Sequence, residues 1–303
     1  MSEAEDTEKF LRIIKKHYPD ISSTNIKSFD GNDHWVFVVG HKVFRFPKIP
    51  REFDARQTNF LKKFAPFSPI SIPTMEFLKD IETGINYEIN TFIPGVSFYP
   101  NVAKTFTKKE LMDIAAKLGK FLNAVHSFSL EEAREMELDE VDPKNFWQYM
   151  EQNSNAFPEY KKVVYPHVSK IERTWIEKLF TEYIALIKKN LFPIRVTHSD
   201  MWTYHIIVDP DKHALAGVID FWGRINDPAR DFKAFEYYGN DFVKEVHKHY
   251  SLPVDENFEK RRLFYSGHDE VFEFARQLKG RNKDKIAQQK ESLYHYITEH
   301  PVA

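Results

Sequence analysis

Three side chains able to act as acid, base or metal ligand bracket one short hairpin: Asp200 and His205 precede it and Asp220 follows it. The apolar segments Ile206 to Val208 and Ala214 to Ile219 flank Asp209-Pro210-Asp211, turn chemistry between two strands. A hairpin of that length folds back on itself, so groups far apart in the chain converge at its base. An aspartate that takes a proton, a second aspartate and an imidazole suit phosphoryl transfer from a nucleotide. That reaction needs positioning, Mg²⁺ against the phosphate oxygens, and a carboxylate for the proton of the attacking hydroxyl. Asp200 is the expected base or orienter, and Asp220 and His205 the expected metal ligands. Each residue alone reads as ordinary turn or strand structure. The joint spacing, with Asp227-Pro228-x-x-Asp231 downstream, carries the functional reading.

The stretch from His198 through Asp200 to His205 follows the H-x-D-x-x-x-x-N pattern of kinase catalytic loops, with His in place of Asn. Asp220-Phe221-Trp222-Gly223 follows D-F-G with an added indole, and the run to Asp227-Pro228 is one residue short of the family pattern. These motifs resemble the catalytic segment of the aminoglycoside phosphotransferase and choline kinase superfamily, whose members are similar to protein kinases in fold. Thr91-Phe92-Ile93-Pro94-Gly95 resembles the hinge between lobes, and Leu118 to His126 resembles the long helix of the second lobe. Tyr18-Pro19-Asp20-Ile21, the strand Val43 to Pro47 and the basic, aromatic C-terminal third are most similar to the aminoglycoside 2''-phosphotransferases.

The resemblance implies an α+β, bilobal, protein-kinase-like fold. Residues 1–94 would form a nucleotide-binding lobe with a five-stranded antiparallel sheet, with a hinge near 91–96. Residues 97–303 would form a mostly helical lobe carrying the catalytic hairpin 196–223 and the acceptor-binding helices. It implies ATP or GTP as donor, Mg²⁺, and a hydroxyl of an aminoglycoside as acceptor. A macrolide, choline or a sugar derivative is the alternative acceptor, and a nucleotide-binding pseudokinase the alternative function.

The elements that would position these groups follow from periodicity. Glu8 to Tyr18 reads as a short amphipathic helix, and Asn25–Phe29, His34–Val39 and Lys42–Phe46 as strands. The turn holding Asn32 and Asp33 would cover the phosphates through backbone amides; with one glycine it reads equally as a plain hairpin. Arg45 alternates with Phe44 and Phe46, so it faces away from them, and a guanidinium can bind phosphate in a bidentate manner. It stands where kinases carry a lysine. The helix at about 51–64 has Glu52 early and Gln57 where a partnering glutamate is expected. Ser71–Leu78 and Ile85–Phe92 complete the sheet, and backbone groups at Phe92 and Ile93 would meet the base.

Beyond the hinge the period lengthens to about 3.6. Thr107 to His126 carries a capping box with Glu110, and Pro143–Gln152 and Lys170–Lys189 are further helices. The acidic run Glu131 to Asp142 is expected as a solvated loop, and His126 as a structural helix-end residue. Asp231–Tyr238, Asp241–Tyr250, Glu256–Lys279 and Lys283–Ile297 read as helices, and the resemblance implies that they form the wall and lid of the acceptor site. Asp231, Glu236, Asp241, Asp269, Glu270 and Glu273 are the acidic candidates for it. His198 and Asp231 would hold the catalytic loop, and Trp222 would flank the nucleotide or the acceptor.

Composition bounds the rest. The chain has 303 residues, 42% hydrophobic, with 27 Phe and 14 Tyr, enough for an aromatic-rich core in two lobes. With 43 basic and 45 acidic side chains the net charge is −2, which gives no electrostatic reason to expect nucleic acid or an anionic membrane. The absence of cysteine excludes disulfides and zinc–thiolate sites. Residues 1–7 lack the apolar core of a signal peptide and no run of about 18 apolar residues occurs. A cytoplasmic monomer is the expectation, its partners a nucleotide and a small hydroxyl acceptor.

Overall fold

Strict alternation builds the first layer. In β2 (His34–Val39) Phe37 and Val39 are buried, and in β3 (Lys42–Pro47) Phe44 and Phe46 are buried, which puts Arg45 on the other face. With β1 (Ile26–Asp30), β4 (Met75–Lys79) and β5 (Asn86–Thr91) they form one antiparallel sheet in the order β1-β2-β3-β5-β4. The computed structural model describes residues 3–22, 26–31, 34–49, 54–153, 156–280 and 283–301. Helix α1 (Glu3–His17) lays Phe10, Ile13 and Ile14 on the apolar face, with the Phe10 and Phe46 rings stacked 4.3 Å apart. β4 begins later than the expected Ser71, since Pro73 has no amide to give to a ladder.

Helix α2 (Ala55–Phe64) starts at Asp54, whose side chain accepts from the Arg56 amide. Its apolar residues Phe60, Leu61 and Phe64 do not join the sheet's core. They pack into the second lobe against Phe121, Phe128 and Phe221, so α2 is fastened to the residue that follows Asp220.

The chain then crosses through β6 (Val96–Ser97) into a helical body. Its parts are α3 (Pro100–Ala103), α4 (Lys108–His126), α5 (Leu130–Glu135), α6 (Phe146–Gln152), α7 (Phe157–Val163), α8 (Lys170–Lys189), α9 (Asn240–Lys248), α10 (Phe258–Gly280) and α11 (Lys283–Glu299). Capping boxes open α4 at Thr107 and α8 at Ser169, each answering two amides that a helix leaves unpaired. The acidic run is not all loop. Ser129 caps α5, Ala133 buries, and Glu140 pairs with Arg134, so 130–135 is helical. Asp231–Tyr238, expected as an ordinary helix, belongs instead to a 3₁₀ segment, Pro228–Tyr238, whose start Asp227 caps by accepting from the Ala229 amide. No helix among the described residues is long and apolar enough to cross a membrane.

Between the lobes, β8 (Ile206–Asp209) and β9 (Ala214–Val218) form the expected hairpin, and β6 pairs with β8. At Gly95, φ is +145° and an added Cβ would run into the Val208 carbonyl oxygen, so only glycine lets the crossing strand lie this close. β7 (Arg195–Thr197) and β10 (Arg224–Asn226) pair on either side, which brings the chain before Asp200 beside the chain after Asp220.

Candidate active site

The loop that carries Asp200 leaves β7 in a strained shape. Ser199 and Asp220, neither of them glycine, have φ of 69° and 60°, conformations that cost on the order of 1–3 kcal/mol each. Buried hydrogen bonds hold the loop there. The Asp231 carboxylate accepts from the backbone amides of His198 (2.6 Å) and Ser199 (2.9 Å), and from His126 Nε2 (3.0 Å), whose Nδ1 meets the Tyr250 hydroxyl at 2.8 Å. Burial alone would raise Asp231, but His126 and these donors keep it below the usual carboxylate range. The Asp200 amide donates to His198 Nδ1 (3.2 Å), leaving the Nε2 proton for the Ile219 carbonyl (3.1 Å). Burial pushes His198 down to about 4, so this ring is neutral at neutral pH.

Asp200, His205 and Asp220 each present one ligand atom, all within 4.8 Å of one another. His205 sits 2.7 Å from the Asp200 backbone carbonyl through Nδ1, which must therefore carry the proton. That leaves Nε2 directed at Asp220, 3.2 Å away. Arg45 reaches the other Asp220 oxygen at 2.9 Å. Burial opposes charge on Asp220, yet Arg45 and His205 hold it well below the usual range; burial also opposes charge on His205, and Asp220 with Asp200 reverses that, raising it. Two carboxylates and an oriented imidazole form a corner that draws positive charge. The donor set fits a divalent cation, with the imidazole a poorer partner for Mg²⁺ than an amide oxygen.

On the donor side, Arg45 has no bond to Gln57, which gives its amide to the Phe221 carbonyl. Its acidic partner in the sheet is Glu88, directly across in β5 and 3.5 Å away. Sequence reasoning missed Glu88, although its place opposite Arg45 follows once β3 and β5 are paired. Asn32, Asp33 and Glu52 lie outside the described residues. The Phe92 amide donates to the His41 carbonyl (2.9 Å), which removes it from the groups a nucleobase could use; Ile93 is nearly buried, its side chain at Gly217. Gly223 has φ +60°, and a Cβ there would lie 2.8 Å from the Phe60 ring.

A cleft of about 920 Å³ opens beside Asp200 and Trp222. Of the six acidic groups expected in an acceptor site, Asp269 and Glu273 line it. Asp231 is buried beneath the loop. Glu236 pairs with His300 (2.5 Å) and Arg262 (3.0 Å), and Asp241 pairs with Lys108 on the surface. Glu270 accepts from Tyr237 (2.5 Å), Gln289 (3.0 Å) and Ser292 (2.9 Å). The reason is helical phase. Positions 269 and 273 share a face of α10 whereas 270 is turned toward α11, and sequence spacing does not fix where the axis points. Arg230, Lys233 and Trp202, also in the cleft wall, were missed; the only sequence signal was their place beside Asp231 and Asp200.

Residues 30–232 match the phosphotransferase enzyme family. The chain belongs to that family: it is a phosphotransferase, of the kind whose acceptor is a hydroxyl group. No curated protein matches it. Its fold is that of the GDP and kanamycin complex of APH(2")-IIia, with a TM-score of 0.80 at 20% identity over 96% of this chain and 99% of that one. The GDP complex of wild-type aminoglycoside 2'-phosphotransferase-IIIa is similar at TM-score 0.79 and 21% identity, covering 96% and 98%. Macrolide 2'-phosphotransferase type I is similar at TM-score 0.66 and 14% identity, covering 97% and 98%. The bilobal kinase-like architecture expected from the motifs is therefore present.

Proposed function

We propose that this chain transfers the γ-phosphoryl group of ATP or GTP to a hydroxyl of a small, ring-bearing acceptor. The observation that carries the reading is the convergence of Asp200, His205 and Asp220 within 4.8 Å at the edge of a cleft large enough for such a molecule. Asp200, open to the cleft, orients the acceptor hydroxyl and takes its proton. Asp220 and His205 would hold Mg²⁺, which when bound neutralises the phosphate oxygens and aligns the nucleotide. Arg45, braced by Glu88, supplies positive charge on the donor side and holds Asp220 ionised.

The aminoglycoside acceptor expected from the sequence rests on the resemblance, and four of the six acidic groups expected to receive it point elsewhere. Kanamycin and a macrolide are therefore acceptors to test, not assumptions. The pseudokinase alternative is disfavoured because both aspartates are present and converge. The deciding experiment is turnover of ATP and GTP by the purified chain, with and without Mg²⁺, across an acceptor panel. Metal-dependent release of the γ-phosphoryl group is expected; nucleotide binding with no turnover in any acceptor or in water would leave a binding protein.

A further inference from the structure

The cleft beside Asp200 carries four carboxylates, Asp142, Asp200, Asp269 and Glu273, and four fixed cations, Arg224, Arg230, Lys233 and Arg276. Two of the carboxylates are charge-paired inside the protein, and exposed Asp142 has only amide partners. Asp269 is paired with buried Lys233 and with His268, Glu273 takes the Arg276 guanidinium and the Gln277 amide, and Asp142 accepts the Lys144 backbone amide (2.9 Å) and the Asn145 side chain (2.7 Å). The fourth, Asp200, is taken up by the hydroxyl under the phosphotransfer reading, on which this inference rests.

Arg230 is in the opposite condition. Its Nε donates to the Ser199 carbonyl (3.2 Å), next to Asp200, and its guanidinium lies 5.6 Å from the Tyr265 ring. Among the described residues no carboxylate comes within 4.0 Å of its nitrogens; burial opposes its charge, and Asp269, Asp200 and Asp231 support that charge only from farther off. A guanidinium held by its Nε and lying over a ring face presents its terminal N–H groups to an oxyanion. Around it the cleft wall offers ring faces, of which Tyr149, Trp222 and Phe272 are 46%, 44% and 43% exposed.

We infer that the acceptor is a hydroxyl compound with a flat ring and one oxyanion, a carboxylate or phosphate, seated on Arg230. A polycation entering this cleft meets Arg230 and finds only Asp142 and Asp200 without a fixed cation, at separate places on the wall. A neutral ring compound gains the stacking surface but leaves the guanidinium unpaired. The expected order of affinity is anionic, then neutral, then polycationic.

Titration calorimetry on the full chain tests this without any need for turnover. The probes are 4-nitrophenyl β-D-glucuronide, the neutral 4-nitrophenyl β-D-glucoside that differs at the carboxylate, and kanamycin. The glucuronide should bind at least tenfold tighter than the glucoside, and kanamycin more weakly than either. Arg230→Gln should abolish the difference between the two glycosides, and Arg230→Lys should restore part of it. Equal affinity for the two glycosides, equal weakening of both by Arg230→Gln, or tighter binding of kanamycin overturns the inference. Circular dichroism of each variant shows that it is folded. Phosphotransfer stands or falls separately, on metal-dependent nucleotide turnover.

Discussion

At the hairpin end of the cleft, Asp200, His205 and Asp220 bring their ligand atoms within 4.8 Å; Arg45 is bound to Asp220, and His205 lies between the two carboxylates, 3.2 Å from Asp220 and 3.6 Å from Asp200. At the far wall, Asp269 and Glu273 are each paired with a cation from the same molecule, Lys233 and Arg276, while Arg230 has no carboxylate within 4.0 Å among the described residues. The first region is built to draw a cation, the second to be internally neutral with one guanidinium in reserve. A count of acidic residues in the sequence treats both regions alike. What separates them is pairing, because a carboxylate already bonded to a cation, as Asp269 is to buried Lys233, attracts an incoming amine less than a free one does.

The largest effect that would sharpen this contrast is at Asp200. Asp200→Ala should lower phosphotransfer by about 10³-fold while nucleotide affinity changes less than threefold, since a positioned base contributes about 10²–10⁴ in rate. Titration of nucleotide beside a steady-state assay checks both halves, and retention of full rate removes Asp200 from the proposed role.

Next comes the buried support. Asp231→Asn leaves His126 and two backbone amides imperfectly answered and should cost about 3 kcal/mol of stability in denaturant unfolding. The sign with pH follows from its depressed folded pKa. The contribution is complete above the ordinary carboxylate range, about 4, and is lost as pH falls below it through the depressed folded value, so wild type and variant should converge in stability in strong acid.

A smaller change is expected on the donor side. Glu88→Gln removes the charge behind Arg45 and should raise KM for the nucleotide about tenfold, roughly 1.4 kcal/mol, with kcat less affected. No change in KM would separate Arg45 from the phosphates. Smallest of all, Asp241→Asn breaks only a surface pair with Lys108 and should shift stability by no more than about 0.5 kcal/mol, with acceptor KM unchanged. A rise in acceptor KM for that variant would break the assignment of Asp241 to the surface.

Several features could be read before any coordinates. The alternation in Val43 to Phe46 set the direction of Arg45, the turn chemistry at Asp209-Pro210-Asp211 set the hairpin, and the capping box at Thr107 set the start of α4. The hidden part begins where distant segments meet. Gln57 was read as a partner for Arg45, but α2 rolls its apolar face onto Phe121 and Phe221 and turns that amide toward the Phe221 carbonyl. His126 looked like a helix-end residue, and its bond to Asp231 joins positions 105 residues apart.

The amino-acid sequence by itself determined the sheet, the long helices α4, α8, α10 and α11, and the meeting of Asp200, His205 and Asp220, because a tight hairpin leaves neighbouring groups few places to go. The tertiary structure alone decided that Glu88 backs Arg45, that Asp231 supports the loop from below, and which acidic groups look into the cleft. Those outcomes depend on how each helix is rotated about its axis and which remote element it packs against, and periodicity fixes a face without saying what that face will meet.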